Sequence, residues 1–295
     1  MGVCGTDMSG YLGKMPFIQL PRILGHELGV EVLSVGSGVT SVRPGQKCSV
    51  EPYLHCGDCH ACHCGRPNCC EALQVLGVHC DGGLTERILV PADKLHPADD
   101  LSFEQLALVE MLAIGRHAVQ RAALAHGEEV LILGAGPIGL SVLEFALIAG
   151  VKVSIFDPNP VRRQFVSQTY PTATVLALPP LHCSAQVVFD ATGNATSMAD
   201  SLLYAKFTGR IIFVGITKEP IPLDDALLHR RELTLLASRN ALAADFTAII
   251  QLIRQGHLHT QRWLTHRSSL AEAPADFARW AEPEAQVVKA IIRVC

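Results

Sequence analysis

Cys4-Gly5-Thr6-Asp7, close to the start of the chain, is followed by Gly25-His26-Glu27, so a thiol, an imidazole and a carboxylate fall within one short stretch. These are three zinc-ligand types, and a catalytic zinc takes three protein ligands and keeps a fourth position open. Read alone, Cys4 and His26 fit a buried thiol and a core imidazole better than a metal site. A second constellation, Cys56, Cys59, Cys62 and Cys70, has the spacing C-x2-C-x2-C-x7-C. Two-residue gaps let successive thiolates face one tetrahedral centre, and four thiolates leave no open position, so this site would be structural. The alternative is a cysteine-rich redox loop. Cys69 competes with Cys70 as the last ligand, with spacing favouring Cys70; Cys64 is surplus, and His55, His60 and His63 read as solvated neighbours.

Farther along, the continuous apolar run Glu129–Leu133 leads into Gly134-Ala135-Gly136-Pro137-Ile138-Gly139 and then a helical run from Leu140 to Ala149. A strand, a glycine turn and a helix in that order form a dinucleotide fingerprint: glycines admit the pyrophosphate, and the free N–H groups of the helix start attract it. A lone G-x-G-x-x-G is weak, but a second strand, Lys152–Phe156, ends in Asp157, 18 residues beyond Gly139. A carboxylate there accepts from the adenosine ribose hydroxyls and repels a 2′-phosphate, favouring NAD over NADP. Arg162 and Arg163 follow and weaken that preference, since an Arg can host the phosphate. Later strands end in Thr192-Gly193, in Val214-Gly215 and before Ser238-Arg239; such ends line the ligand crevice of an open α/β sheet.

The elements that must hold these groups are legible in outline. Val30–Val35 and Cys48–Val50 read as short strands around Gly-Ser-Gly and Pro-Gly turns, and residues 75–86 continue a β pattern through Asp81-Gly82. Ser102 caps a helix whose apolar positions run from Leu106 to Ala113. Glu110 lies within that run, where a carboxylate is costly unless paired or bound to a cation, so it joins the first zinc as a further candidate. Residues 166–185 are Pro-rich and lack a helix that such a domain normally carries; Ala243–Arg254 is an amphipathic helix, and Val287–Val294 a strand returning to the first domain. The expected division is a mostly β catalytic domain over residues 1–114, rejoined by 259–295, and a dinucleotide domain over 115–258.

Composition narrows the class. With 295 residues, 49% hydrophobic and 18% charged, the chain is globular and long enough for two domains. A net charge of -4 with no long basic run gives no electrostatic case for nucleic acid, and no apolar run approaches a membrane span. There is no visible secretory signal, and six of the eleven Cys fall between Cys56 and Cys70; clustered thiols in such a chain point to metal in a cytoplasmic protein.

Taken in one order, the Cys-Gly-Thr-Asp, Gly-His-Glu, four-Cys and Gly-Ala-Gly-Pro-Ile-Gly motifs resemble the zinc-dependent medium-chain alcohol and polyol dehydrogenases over nearly the whole chain. The bacterial sugar-acid branch, L-galactonate 5-dehydrogenases and their starvation-sensing relatives, is most similar. That likeness rests on Arg66–Glu71, Val78-His79 with Asp81-Gly82-Gly83, Asp190–Asn194, Ser238-Arg239-Asn240 and Leu264–Arg267. The resemblance implies a GroES-like catalytic domain with a Rossmann domain, catalytic zinc on Cys4, His26 and Glu27 or Glu110, and structural zinc on Cys56, Cys59, Cys62 and Cys70. It implies an NAD-dependent enzyme that oxidises a secondary alcohol of a polyol or sugar acid, in a homo-oligomer. Thr6 would accept the hydroxyl proton, and Arg22, Arg239 and Lys14 are candidate cations for a substrate carboxylate. Family members carry further strands ahead of Cys4, so the expectation includes a shortened N-terminus with an unpaired sheet edge there. Ser9 stands where the family often has His. A chain that binds NAD and zinc without turnover, another polyol or threonine dehydrogenase, and a zinc-free quinone reductase of the same fold are the alternative readings.

Overall fold

The computed structural model describes residues 1–15, 17–282 and 285–294. Pro283, Glu284 and Cys295, inside the C-terminal segment expected to rejoin the first domain, lie outside the described residues. The chain divides into two compact units, residues 1–113 with 240–295, and residues 114–239.

The first unit is built from small sheets. Gly29–Glu31, Lys47–Val50 and Leu95–Pro97 form an antiparallel three-stranded sheet, and Tyr53–Leu54 pairs with Gln74–Val75. A third sheet joins the two ends of the sequence: Gly2–Val3 pairs antiparallel with Lys289–Arg293, which pairs parallel with Leu264–Ser269. Gly2–Val3 is the edge strand of that sheet, and Gly2 also makes an isolated bridge to Glu27. Val3, Leu28, Val50, Phe277, Trp280 and Ile292 pack into one core beneath these strands.

Two expectations are revised. Regular pairing beyond Gln74–Val75 stops, because the N–H groups of Gly82, Gly83 and Leu84 bond to the carbonyls of Ile23, Gly25 and Leu24 instead of to a hairpin partner. That wrapping braces the Gly25-His26-Glu27 segment. The helix Ala243–Arg254 belongs with the first unit: Phe246 stacks on His96 at 4.8 Å, and Arg254 bonds to Asp100 at 2.7 and 2.8 Å. Amphipathic spacing says that a helix buries one face, not which unit it buries it against.

The second unit is a six-stranded parallel sheet. From edge to edge the strands are Thr234–Ala237, Ala205–Phe213, Ala185–Asp190, Glu129–Leu133, Lys152–Phe156 and Thr174–Val175. The chain order reverses beside Glu129–Leu133, the arrangement of a Rossmann fold, which places a ligand crevice at the strands' carboxyl ends there. The central strands are buried on both faces and read accordingly as uninterrupted apolar runs. Helix Pro160–Thr169 follows the second strand and takes in the first residues of the Pro-rich 166–185 segment expected to lack a helix; the connection from Val175 to Ala185 contains none.

Candidate metal centres and dinucleotide site

Cys4 is the N-cap of the helix Gly5–Tyr11, with its sulfur accepting from Thr6 N–H at 3.5 Å and its own N–H donating to Asp7 Oδ2 at 2.9 Å. This reciprocal capping fixes the thiol at the helix start. Glu27 is brought beside it by the bridge to Gly2, where a Cβ would lie 2.1 Å from Glu27 Oε2; only glycine leaves the carboxylate room. Ligand atoms of Cys4, His26 and Glu27 all lie within 4.8 Å of one another. Glu27 is fully buried, with one oxygen bonded to Lys289 Nζ and Oε2 left without a hydrogen-bond partner. A buried, orphaned carboxylate oxygen beside a thiol and an imidazole is a donor set that fits a zinc ion.

The electrostatics agree with that fit. Burial pushes the His26 imidazole pKa down, but the neighbouring Asp7 and Cys4 outweigh it and hold it well above its usual value, so the pocket draws positive charge. Asp7 Oδ1 lies 3.5 Å from His26 Nδ1 and accepts from Gly25 N–H at 3.3 Å. The two face each other as a charge pair, without the geometry of a hydrogen bond. Asp7 is fully buried; burial raises its carboxyl, yet His26 and the N–H of Cys4 hold it below the ordinary range. Glu110 stands apart from the trio, held by the Tyr53 hydroxyl. Burial first, and then the charge of Glu27, push its carboxyl up. Lys289 is 1% exposed and keeps its proton against burial because of Glu27 and Cys4.

Asp7, Lys289 and Tyr53 were not singled out in the sequence for this site. Asp7 was legible from Cys-x-x-Asp, a capping-box spacing, and Lys289 as the one charge inside the apolar run Val287–Ile292. Of the cations considered for a substrate carboxylate, Arg22 is paired with Asp81 at 3.1 Å.

The sulfur atoms of Cys56, Cys59, Cys62 and Cys70 also lie within 4.8 Å of one another. Cys56 and Cys70 are separated by 3.4 Å and Cys59 and Cys62 by 3.5 Å. Zinc–sulfur bonds of about 2.3 Å set tetrahedral sulfur–sulfur edges of about 3.8 Å, so the set needs only a small expansion to hold zinc. The spacing works because Cys59 caps the short helix His60–His63, Cys62 lies within it, and Cys70 follows the 3₁₀ turn Pro67–Cys69. N–H groups of Asp58 and Cys59 point at Cys56 Sγ and lower its pKa, while those of Glu71 and Cys62 lower Cys59 to about 6. Cys64 and Cys69 are exposed outside this set, with Cys64 Sγ 3.5 Å from His60 Nε2.

In the second unit the glycine turn has the shape a pyrophosphate needs. A Cβ on Gly139 would meet Gly134 O at 1.9 Å, which forces the tight turn, whereas one on Gly136 would meet nothing nearer than Arg162 at 3.9 Å. That open cradle lies at the start of the helix Pro137–Ile148, whose first residues include Pro137 and Ile138. Asp157 is buried, and its two oxygens accept from Ala135 and Asn159 N–H, each at 2.8 Å, leaving lone pairs for further donors. Arg162 approaches it at 3.4 Å, and Arg163 donates to its backbone carbonyl at 2.7 Å. Thr192 and Ser197 hold the buried Asp190 carboxylate, which fixes the Thr192-Gly193 turn; Val214 and Gly215 N–H bond to Asp190 O. Ser238 Oγ, at the end of its strand, is buried without a partner, and Arg239 beside it is exposed. These strand ends and the glycine turn form a site whose donors suit a dinucleotide.

Profiles described as "Alcohol dehydrogenase GroES-like domain" and "Zinc-binding dehydrogenase" match residues 1–100 and 137–255. L-galactonate-5-dehydrogenase of Escherichia coli K12 is 38% identical, over 99% of this chain and 89% of its own length. The chain belongs to the zinc-dependent medium-chain dehydrogenase family. The alcohol dehydrogenase rspB of E. coli CFT073, solved with NADH, is 25% identical with a TM-score of 0.91, covering 99% of this chain and 89% of that one. A zinc-binding dehydrogenase of Sinorhizobium meliloti 1021, bound to NADP, is 28% identical with a TM-score of 0.88 over the same shares, 99% and 89%. Family membership makes the chain an alcohol dehydrogenase. Among the described residues no helix is long and apolar enough to cross a membrane.

Proposed function

We propose that this enzyme oxidises a secondary hydroxyl of an L-galactonate-like sugar acid with NAD, using zinc held by Cys4, His26 and Glu27. The observation that carries the reading is the buried, unpartnered Glu27 Oε2 beside Cys4 and His26, in a chain 38% identical to a protein named for L-galactonate oxidation. When bound, zinc supplies Lewis acidity that lowers the pKa of the substrate hydroxyl, and the nicotinamide accepts the hydride.

The remaining work falls to the chain's own groups. Asp7 faces His26 as its counter-charge, and Lys289 neutralises the half of Glu27 that faces away from the ligand position. Thr6 takes the hydroxyl proton, and Ser9, one turn on along Gly5–Tyr11 and also half-buried, passes it outward in place of a His. Glu110, held by Tyr53, stands behind the trio as a carboxylate that can exchange with Glu27. Gly134, Gly136 and Gly139 receive the pyrophosphate at the start of Pro137–Ile148, and Asp157 accepts from the adenosine ribose. Engagement of Arg163 by backbone carbonyls leaves it poorly placed for a 2′-phosphate, which supports NAD. The Cys56, Cys59, Cys62 and Cys70 zinc stiffens its lobe, and the working unit is a homo-oligomer.

The test is the appearance of reduced nicotinamide, followed by its absorbance, with zinc-loaded protein on L-galactonate and on a panel of aldonates and polyols, each with NAD and with NADP. Turnover fastest on a sugar acid with NAD is expected. A preference for neutral polyols would overturn the substrate class, and higher efficiency with NADP would overturn the cofactor. Analytical ultracentrifugation measures the oligomer.

A further inference from the structure

The connection from Val175 to Ala185 crosses the sheet without a helix, although parallel sheets are covered on both faces, usually by their crossover helices. What lies there is a loop over a cavity of about 1020 Å³. On the strand face that carries Leu131 the lining also takes Ser154, its register partner, and Leu176, Leu178 and Leu181 line the loop side. Leu178 and Leu181 are 76% and 81% exposed, which puts them at the mouth. The strand residues involved, 129–131 and 152–154, belong to the amino-terminal halves of their strands, away from the glycine turn at the carboxyl ends. The cavity is therefore separate from the dinucleotide site and owes nothing to the catalytic reading.

Two polar features give it a chemistry. Ser184 Oγ, on the lining, is buried and without a partner. Lys152, also on the lining, is exposed; its register partner Glu129, on the same lining, is paired with Lys206 and feels the Lys152 charge as well. Size, apolar walls and a few polar groups are the marks of a small-molecule site. We propose that this cavity binds an amphipathic carboxylate, its apolar chain on the sheet face and its acid toward Lys152, with Ser184 as a hydrogen-bond donor. Sugar acids and dinucleotides lack the apolar body that these walls require.

Decanoate is the probe, titrated calorimetrically into the full chain with NADH present and absent. One decanoate per chain is expected, with equal affinity in both conditions. Lys152→Glu, at an exposed position, should weaken it about tenfold, the equivalent of about 1.4 kcal/mol. Ala177→Trp, on the exposed loop, should fill the cavity and abolish binding, while both variants keep wild-type NADH affinity as proof of folding. The proposal is overturned if decanoate does not bind, if NADH displaces it, or if both variants bind it as the wild type does. Dissociation of an oligomer by Leu178→Asp with Leu181→Asp would make this face a subunit interface and overturn it as well.

Discussion

In the Cys56–Cys70 lobe, four like ligands come from one short stretch, three of them partly or fully exposed, and backbone N–H groups favour the thiolates. The Cys4 site draws unlike ligands from two segments into the interior, where Asp7, from the helix that Cys4 caps, faces His26, and Lys289, from a distant strand, neutralises Glu27. The lobe can be satisfied locally, with four anionic donors and no open position. The mixed site leaves a ligand position open and holds buried charges that are costly unless each has its partner. On the proposed reading, burial and unlike donors separate a site that reacts from one that braces.

The sharpest way to break this contrast is to remove one thiol from each. Cys4→Ser should lose one zinc ion and at least about a thousandfold in kcat, with the melting temperature little changed. Cys59→Ser should lose the other zinc and lower the melting temperature. An inactive Cys59→Ser protein with unchanged melting would erase the distinction. Next in size, Lys289→Met strips Glu27 of its buried partner and should cost about 3–5 kcal/mol of stability in urea titrations, a penalty that no exposed residue of the lobe should match. Tyr53→Phe should cost about 1–3 kcal/mol by leaving Glu110 without its donor.

The smallest effect concerns acid. Burial raises the Glu51 carboxyl, but hydrogen bonds from His96 and Lys94 outweigh it and hold its pKa below 4.5. Its contribution is therefore complete above about pH 4.5 and is lost as pH falls through the lowered folded value. The stability difference between wild type and Glu51→Gln should be flat near neutrality and shrink on acidification.

Local signals made most of the fold legible: apolar runs ending in Gly134, Asp190 and Gly215, the cap at Ser102, and thiols at two-residue gaps. The grouping of Cys4 with His26 and Glu27 was legible too, because two short motifs carry these residue types, and their ligand atoms do lie together. Its supporting charges were harder to read. Lys289 shows the same anomaly as Glu110, a charge in an apolar run, but its partner is 262 residues away and nothing in the strand names it. The 75–86 segment has the alternation of a strand, and only the three-dimensional neighbour, Leu24-Gly25, diverts its hydrogen bonds. Which unit claims Ala243–Arg254 likewise depends on His96 and Asp100, which helical spacing cannot see.

The Lys289–Glu27 pair also sets an order of events during synthesis. Glu27 is made 262 residues before Lys289, and over that span its carboxylate has no buried cation to meet. Until the Lys289–Arg293 strand emerges and pairs with Gly2–Val3, the pocket cannot close around its charges. Long-range pairing of this kind forms slowly compared with local structure. The lobe's thiols, close in sequence, can meet as soon as residues 56–70 are made, whereas the Cys4 site waits for a strand 262 residues beyond Glu27.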